Sequence, residues 1–323
     1  MKILAIIVNY QTADLVIKGL HALARESSTL NDCLHVTIVD NNSRDGSFEK
    51  IHKIIEKNQW SENFKIISSK KNSGFAAGNN IALREALKTG LPDFIWLLNP
   101  DTFIRPGAAR ELLNFLKNNH QTAICGSRLE DEDGTPQIST FNFPSFFNEF
   151  IGMLSLGIVS RIFNAYLIHQ PVRGTSHKAD WLSGASVMIK REVFETIGLM
   201  DEHYFLYFEE VDFFYQARKF GFNCWYVPSS RVIHKAGAAT GISSSRKNSS
   251  RRPAYWFESR RRFFIKNKGG FHTLLADSGF ILGHLLWLIK TRIQKKDNTR
   301  PHRLLRDFMH YSVFLKGFDC EKQ

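Results

Sequence analysis

A chain of 323 residues, 43% hydrophobic and 23% charged, can bury a full core and has the composition of a soluble globular protein. Its four cysteines, Cys33, Cys125, Cys224 and Cys320, form no CxxC pair, which argues against a zinc site or a disulfide framework and suits a reducing cytoplasm. The net charge of +12 is confined to one end: residues 246–323 hold 18 Lys+Arg and 6 Asp+Glu, whereas residues 1–245 hold 25 of each. Such an end suits an anionic membrane face, a phosphate-rich substrate or nucleic acid, with plain solvation of helix surfaces as the ordinary alternative.

Ile3–Val8 is a continuous apolar run, too short for a secretory signal, and reads as a buried parallel strand ending at Asn9-Tyr10. A helix follows, with Leu15, Leu20, Leu23 and Ala24 on one side. Val36–Asp40 is a second strand, closed by Asn41-Asn42-Ser43, and Asp45-Gly46-Ser47 opens a helix through Ile51 and Ile55. Lys65–Ser68 is a third strand. The loop Asn72–Phe75 leads into a helix from about Ala76 to Leu87. Phe94–Leu98 is a fourth strand, ending at Asn99-Pro100-Asp101, and Pro106 introduces a helix through Leu112 and Leu116. Four strand–helix alternations with short links predict a doubly wound α/β sheet with right-handed crossovers. Ligands of such sheets sit at strand C-termini, where Asn9, Asp40, Asn42 and Asp101 all fall. Taken singly, each is an ordinary turn residue.

From Arg128 to Lys178 the pattern is less regular. Glu130–Gly134 reads as an exposed turn, and residues 141–168 read as either a helix packed on the sheet or a mobile flap. Trp181–Ile189 is a turn and a strand, and Arg191–Ile197 a short helix closed by Gly198. Phe205–Asp212 then places Glu209, Glu210 and Asp212 in the first turn of a helix that Gly221 stops. Acids there complement the helix dipole, but the surrounding aromatics would raise a carboxyl pKa and suit it to general-base work. Cys224–His234 forms one further unit, and residues 237–250, rich in Gly and Ser, read as a mobile linker. Leu274–Ile289 is apolar but interrupted by Asp277, Gly279, Gly283 and His284. With Lys290, Arg292, Lys295 and Lys296 after it, the segment is either an interfacial helix or one buried against the rest of the chain. No internal repeat is visible.

The motifs Val8-Asn9-Tyr10, Val39–Ser47, Asn72–Asn80, Leu98–Thr102, Trp181–Ala185, Phe208–Asp212 and His234 occur in that order. Together they resemble the family 2 inverting glycosyltransferases of the GT-A fold, in the branch of bacterial polysaccharide enzymes that includes rhamnosyltransferases. The resemblance covers about residues 3–240. It implies a mixed, mostly parallel Rossmann-like sheet flanked by helices. Residues 1–245 would form the catalytic domain, with a nucleotide-binding half to about 102 and an acceptor half after it. Residues 246–323 would be a basic helical appendage.

The resemblance also implies roles. Asp40 would face the donor's pyrimidine, with Asn9, Tyr10 and Asn42 beside the nucleoside. Asn72, Gly74, Phe75 and Asn79 would close over the ribose and diphosphate. Asp101 and His234 would bind Mg²⁺ or Mn²⁺ together with diphosphate oxygens. Asn99 stands where the family has a first metal-motif acid. Trp181, Leu182, Ser183, Gly184 and Ala185 would line the sugar and acceptor cleft. Glu210 would be the general base, holding Glu where the family has Asp, so that Glu209 or Asp212 could share the role. The expected partners are a nucleotide-diphosphate sugar (dTDP-rhamnose or a UDP-sugar), a glycan or lipid-linked glycan acceptor, and an anionic membrane at the inner, cytoplasmic face of the cell. Nucleic acid is not expected, since the tail lacks a recognition motif. Oligomeric state stays open. Competing readings are a nucleotide-sugar-binding protein without turnover and a nucleotidyltransferase.

Overall fold

The structure, a computed structural model, describes residues 1–31, 33–155, 167–237, 251–297 and 300–320. Strands β1 (Ile3–Asn9), β2 (Leu34–Asp40), β3 (Phe64–Ser68) and β4 (Phe94–Leu98) run parallel in the order β3-β2-β1-β4. Helices α1 (Ala13–Thr29), α2 (Ser47–Lys57) and α3 (Gly74–Leu87) connect them. Every residue of β1 is buried. Ile3, Ala5 and Ile7 join Leu20, Ile51 and Leu112 on one face, while Leu4 and Ile6 join Ala76 and Leu83 on the other. Side chains alternate across a strand, so a strand covered on both faces needs an unbroken apolar run.

The sheet continues β4-β10-β6-β11-β5 through β5 (Thr102–Ile104), β6 (Thr122–Glu130), β10 (Ser186–Lys190) and β11 (Asn223–His234). Strand β10 is antiparallel to both β4 and β6; β11 is parallel to β6 and antiparallel to β5 and to β8 (His177–Ala179). The second half of the sheet is therefore mixed. Strand β10 arrives from an irregular stretch rather than a crossover helix, so nothing forces it parallel. A register shift between Val227 and Arg231 lets Pro228 sit inside β11. Two short strands, β7 (Thr140–Phe141) and β9 (Trp181–Leu182), pair separately. The helices of this half are α4 (Ala108–Asn118), α5 (Phe146–Leu154), α6 (Arg191–Ile197) and α7 (Glu209–Lys219).

Two expectations need correction. Glu130 is not in an exposed turn: it ends β6, fully buried, with Arg105, Arg128 and Arg231 on its carboxylate. Burial would raise its pKa, but hydrogen bonds from Arg231 and Arg105 reverse this and hold it below the usual range. The described part of residues 141–168 is not a single helix packed on the sheet. It contributes β7 and then α5, capped by Ser145 and Asn148, and α5 packs on the C-terminal helix. Residues 156–166 of that stretch, and 238–250 of the expected linker, lie outside the described residues.

The basic end forms α8 (Ala254–Ile293), broken at Gly269 (φ 79°), then α9 (Leu304–Tyr311) and α10 (Val313–Lys316). Asp277 and His284 do not merely interrupt an apolar segment; both lie on its buried face. Arg260, also buried, bonds Asp277 at 2.6 Å and lies 3.3 Å from Glu149 of α5, with its guanidinium over Phe264 and Phe308. A methyl group at Gly279 would lie 2.9 Å from the Phe146 ring, and one at Gly283 2.6 Å from the Phe150 carbonyl oxygen. These glycines let α5 and α8 approach closely.

The first half of α8 grips α7 and the segment before it. Lys266 bonds Asp201 at 2.9 Å and Asp212 at 2.7 Å, and Asn267 Nδ2 donates to Asp212 at 2.6 Å. Burial would raise the pKa of Asp201, but hydrogen bonds from Lys266 and Arg262 depress it strongly. This contribution to stability is complete above the ordinary value of 3.8 and is lost as pH falls below it. Lys266→Ala leaves the buried Asp212 short of a cation and is expected to cost about 1–3 kcal/mol. Denaturant unfolding at pH 7 checks this, and an additional Asp212→Asn should recover part of the loss. A silent Lys266→Ala removes the argument.

Candidate active site

The C-terminal ends of β1, β2 and β4 gather the polar residues that the chain order scatters. Asn9 is buried; its Nδ2 donates to Asp40 Oδ1 at 2.7 Å and to Ser43 Oγ at 3.1 Å. Its Oδ1 accepts from Thr12 N and Thr12 Oγ1. Ser43 donates its N–H to Asp40 Oδ2 and its hydroxyl to Oδ1. Asp40 is thus fixed in orientation, with Ser43 as a hub that sequence reading gave no role. Tyr10 is exposed beside this cluster, and Asn42 (φ 61°) turns the chain and accepts from Arg44.

The next contacts run from β2 to the helix α3. Asn41 Nδ2 donates to Asn72 Oδ1 at 2.9 Å and to the Gly74 carbonyl at 3.1 Å. Asn72 Oδ1 also accepts from Gly74 N, and Phe75 N donates to the Phe205 carbonyl at 3.0 Å. Gly74 has φ 89°, and a Cβ there would lie 1.8 Å from the Phe205 carbonyl oxygen. Only glycine fits both requirements. Gly74→Ala is therefore expected to push the 205 backbone away and to lower both melting temperature and donor affinity. Unchanged values of both in a thermal and calorimetric comparison would contradict the close approach. Asn79 lies inside α3 rather than in a loop; it is buried and donates to the Phe75 carbonyl. The neighbouring Asn80, not singled out from sequence, bonds Met200 through both backbone groups and also Glu202.

Tyr207 and Phe208 both adopt left-handed backbone (φ 68° and 67°) immediately before α7. Bulky residues rarely hold that conformation, and here packing enforces it. Tyr255 stacks on Tyr207, Phe263 and Trp256 flank Phe208, and Ser259 donates to the Leu206 carbonyl. The turn delivers Glu209 and Glu210 into enclosed positions. The Oε2 atom of each is shut off from solvent and has no hydrogen-bond partner among the described residues. Burial raises the Glu210 pKa to about 6. Burial and the adjacent Glu210 push Glu209 well above the usual range. Desolvation therefore outweighs the stabilisation that a helix N-terminus gives its acids. Asp212 differs: Lys266, Asn267 and the Tyr204 hydroxyl occupy its oxygens, and it ties α7 to α8.

Gly184 closes the arrangement. A Cβ there would sit 3.6 Å from the Phe75 ring and 3.9 Å from Glu210 Cβ. Ala185 accepts from Asn99 N at 3.1 Å, and the Asn99 carbonyl accepts from Thr102. Trp181 and Leu182 serve packing: the Trp181 indole donates to the Asn142 carbonyl and stacks on Phe141, and Leu182 is buried. Ser183 bonds the Ser139 carbonyl through its N–H.

Asp101 and His234, 133 positions apart in the chain, meet because β11 pairs with β5 and places His234 opposite Thr102. His234 Nε2 lies 3.5 Å from Asp101 Oδ1, and the Asp101 side chain is almost wholly enclosed. Neighbouring ligands of an octahedral Mg²⁺ stand about 3 Å apart, so the pair fits one divalent ion. Among the described residues no third His, Cys, Asp or Glu completes a protein-only cluster. Such a pair needs a further oxygen donor. A recess of about 790 Å³ lies at the opposite edge of the sheet and is lined by Lys2, Lys65 and Asp93. It lacks this convergence of motif residues, so the site is placed by its chemistry at the C-terminal edge.

A parallel half-sheet continued by the antiparallel β10, with polar residues gathered at its strand C-termini, has the architecture of the GT-A fold. The family model for Glycosyl transferase family 2 matches residues 4–198, and the chain belongs to that family. It is similar to the dTDP-rhamnosyl transferase RfbF of Shigella flexneri, at 24% identity over 94% of this chain and 93% of that protein. It is also similar to the N-acetylglucosaminyl-diphospho-decaprenol L-rhamnosyltransferase of Mycobacterium tuberculosis, at 26% identity over 64% of this chain and 68% of that one. Two solved structures share the fold. The mannosyltransferase PcManGT of Pyrobaculum calidifontis, solved with GDP-Man and Mn²⁺, aligns at TM-score 0.58 and 13% identity over 98% of this chain and 84% of its own. GalNAc-T7, solved with UDP, GalNAc and Mn²⁺, aligns at 0.59 and 14% over the whole chain, which spans 56% of that longer one. The chain is thus a rhamnosyltransferase-like glycosyltransferase.

Proposed function

We propose that this enzyme transfers a hexosyl group, with inversion, from dTDP-rhamnose or a UDP-sugar to a hydroxyl of a growing, lipid-linked polysaccharide at the cytoplasmic face of the cell membrane. The observation that carries the reading is the enclosed Glu210 carboxyl, placed against Gly184 and Phe75 at the edge where the nucleotide-side residues converge. With a pKa near 6 it is ionised at neutral pH, while burial and the adjacent Glu210 push Glu209 well above the usual range. Two neighbouring carboxyls pushed to different pKa values divide their tasks, and the ionised one is the base.

Glu210 takes the proton of the acceptor hydroxyl as that oxygen bonds to the anomeric carbon. The bond from that carbon to the diphosphate oxygen breaks on the opposite side, and a single displacement inverts configuration. Asp40, held by Asn9 and Ser43, faces the pyrimidine, and the Asn72–Phe75 turn lies along the ribose and diphosphate. Asp101 and His234 would hold Mg²⁺ or Mn²⁺, which neutralises charge on the departing diphosphate. The Mn²⁺ bound in both structural relatives and the rhamnosyl transfer for which the sequence relatives are named support this reading.

Thermal unfolding with a panel of nucleotide sugars tests the donor, because a ligand stabilises the fold according to its occupancy. One dTDP- or UDP-sugar is expected to raise the melting temperature in the presence of Mn²⁺ or Mg²⁺. NMR of the product should show the anomeric configuration opposite to that of the donor. Retention would refute the single displacement, and stabilisation by guanosine nucleotides alone would refute the pyrimidine assignment.

A further inference from the structure

Beyond the break at Gly269, residues 270–293 form a helix with two apolar faces. One face is buried: Gly279 and Gly283 lie against α5, and Phe280 stacks on Phe308 of α9 at 3.7 Å. The other looks outward. Phe271, Leu282, Leu285, Ile289 and Ile293 recur on it at helical spacing, and Phe271 and Ile293 are 69% and 76% exposed. Exposed Phe318 packs beside Gly270 and extends the stripe at its start. At 1.5 Å per residue the stripe is about 33 Å long, more apolar surface than a chain ordinarily leaves to water.

The charges around the stripe are mostly basic, although Asp297 and Asp319 are exposed near its two ends. Between Gly270 and Lys296 the only acid is Asp277, which is buried on Arg260. Arg292, Lys295 and Lys296 are exposed at the far end. The helix is long and apolar enough to cross a membrane, yet 44% of its most apolar stretch is buried inside the protein. Its inner face is sealed by α5 and by the Arg260–Asp277–Glu149 cluster, so it is not free to be surrounded by lipid. A second copy of the chain would bring a like charge of +12 against this region, whereas an anionic bilayer attracts it.

We propose that residues 270–293 lie flat on an anionic membrane, with the stripe from Phe271 to Ile293 sunk among the headgroups and the flanking lysines and arginines at phosphate level. This names the surface from which a lipid-linked acceptor is reached. Its purpose rests on the transfer reading, but its test needs neither donor nor turnover, so either can fail alone.

The test is co-sedimentation of the full chain with neutral phosphatidylcholine vesicles and with vesicles containing phosphatidylglycerol, across a salt series. Binding is expected to favour the anionic vesicles and to weaken as salt rises, because screening shortens the attraction. Lys295→Ala and Lys296→Ala should each weaken anionic binding about fivefold, the weight of one basic residue near such a surface. Leu285→Ser combined with Ile289→Ser should abolish binding and leave the melting temperature unchanged, since both side chains face outward. Equal binding of the unsubstituted chain to both vesicle types, without salt dependence, overturns the proposal before any variant is made. So does undiminished binding by the double serine variant. Absence of vesicle binding, with a concentration-dependent dimer in sedimentation that the serine variant loses, reassigns the face to a contact between copies.

Discussion

Glu210→Gln is expected to lower kcat by about 10²–10⁴-fold while donor affinity stays nearly constant. The substitution keeps the shape of an enclosed side chain and removes its proton acceptor. In the native enzyme kcat/KM should rise with pH through a single ionisation near 6, the value to which burial lifts Glu210. The variant should lack that limb. Glu209→Gln should be far milder in rate, because burial and its neighbour disfavour the ionised form of Glu209. Its effect belongs to stability. A carboxyl whose folded pKa is raised contributes most below the ordinary value of 4.5 and loses that contribution as pH rises. Glu209→Gln should therefore melt higher than the native chain at pH 8, with the gap closing towards pH 4. A crippling Glu209→Gln beside a mild Glu210→Gln would exchange the two assignments.

Asp101→Ala should lower transfer by more than about 10²-fold, since even outer-shell partners of a metal ligand are worth 10–100-fold. The fold should survive, because the sheet is held by β11 pairing with β5 and β6 rather than by this carboxylate. Mn²⁺ binding in the presence of nucleoside diphosphate, followed by calorimetry or by the electron-spin signal of the ion, gives a readout independent of turnover. Affinity should fall steeply in Asp101→Ala and less in His234→Ala, since the carboxylate supplies charge and the imidazole only a lone pair. Native Mn²⁺ affinity in Asp101→Ala, or full activity in excess chelator, would remove the metal from this site.

Much of the parallel half was legible because its signals are local. An unbroken apolar run such as Ile3–Val8 says that both faces of a strand are covered, and Asn or Asp at its end says where the turn comes. The acidic turn at 209–212 was equally visible, and so was the stop at Gly221. The antiparallel entry of β10 was not, since residues 131–185 carry no period that fixes a direction. Glu130 reads as a turn residue among Asp131, Glu132 and Asp133; only its three arginine partners, drawn from β6, β11 and the end of β5, explain why a charge is buried there.

The sequence by itself determined the family, the strand ends that carry polar residues, and a short set of acids from which a base could come. It also located the whole +12 at one end. The different surroundings of the acids came only from tertiary structure. Glu209, Glu210 and Asp212 are near neighbours in the chain, but Asp212 meets Lys266 and Asn267 from 54 and 55 positions away, while the other two each have an enclosed Oε2 with no hydrogen-bond partner among the described residues. The same holds for the C-terminal helix: its hydropathy fits burial and membrane contact equally well. Packing showed that α5 covers one face and leaves the other exposed. Ionisation and exposure depend on what surrounds a group in space, and that depends on strand order and helix contacts that no local pattern encodes.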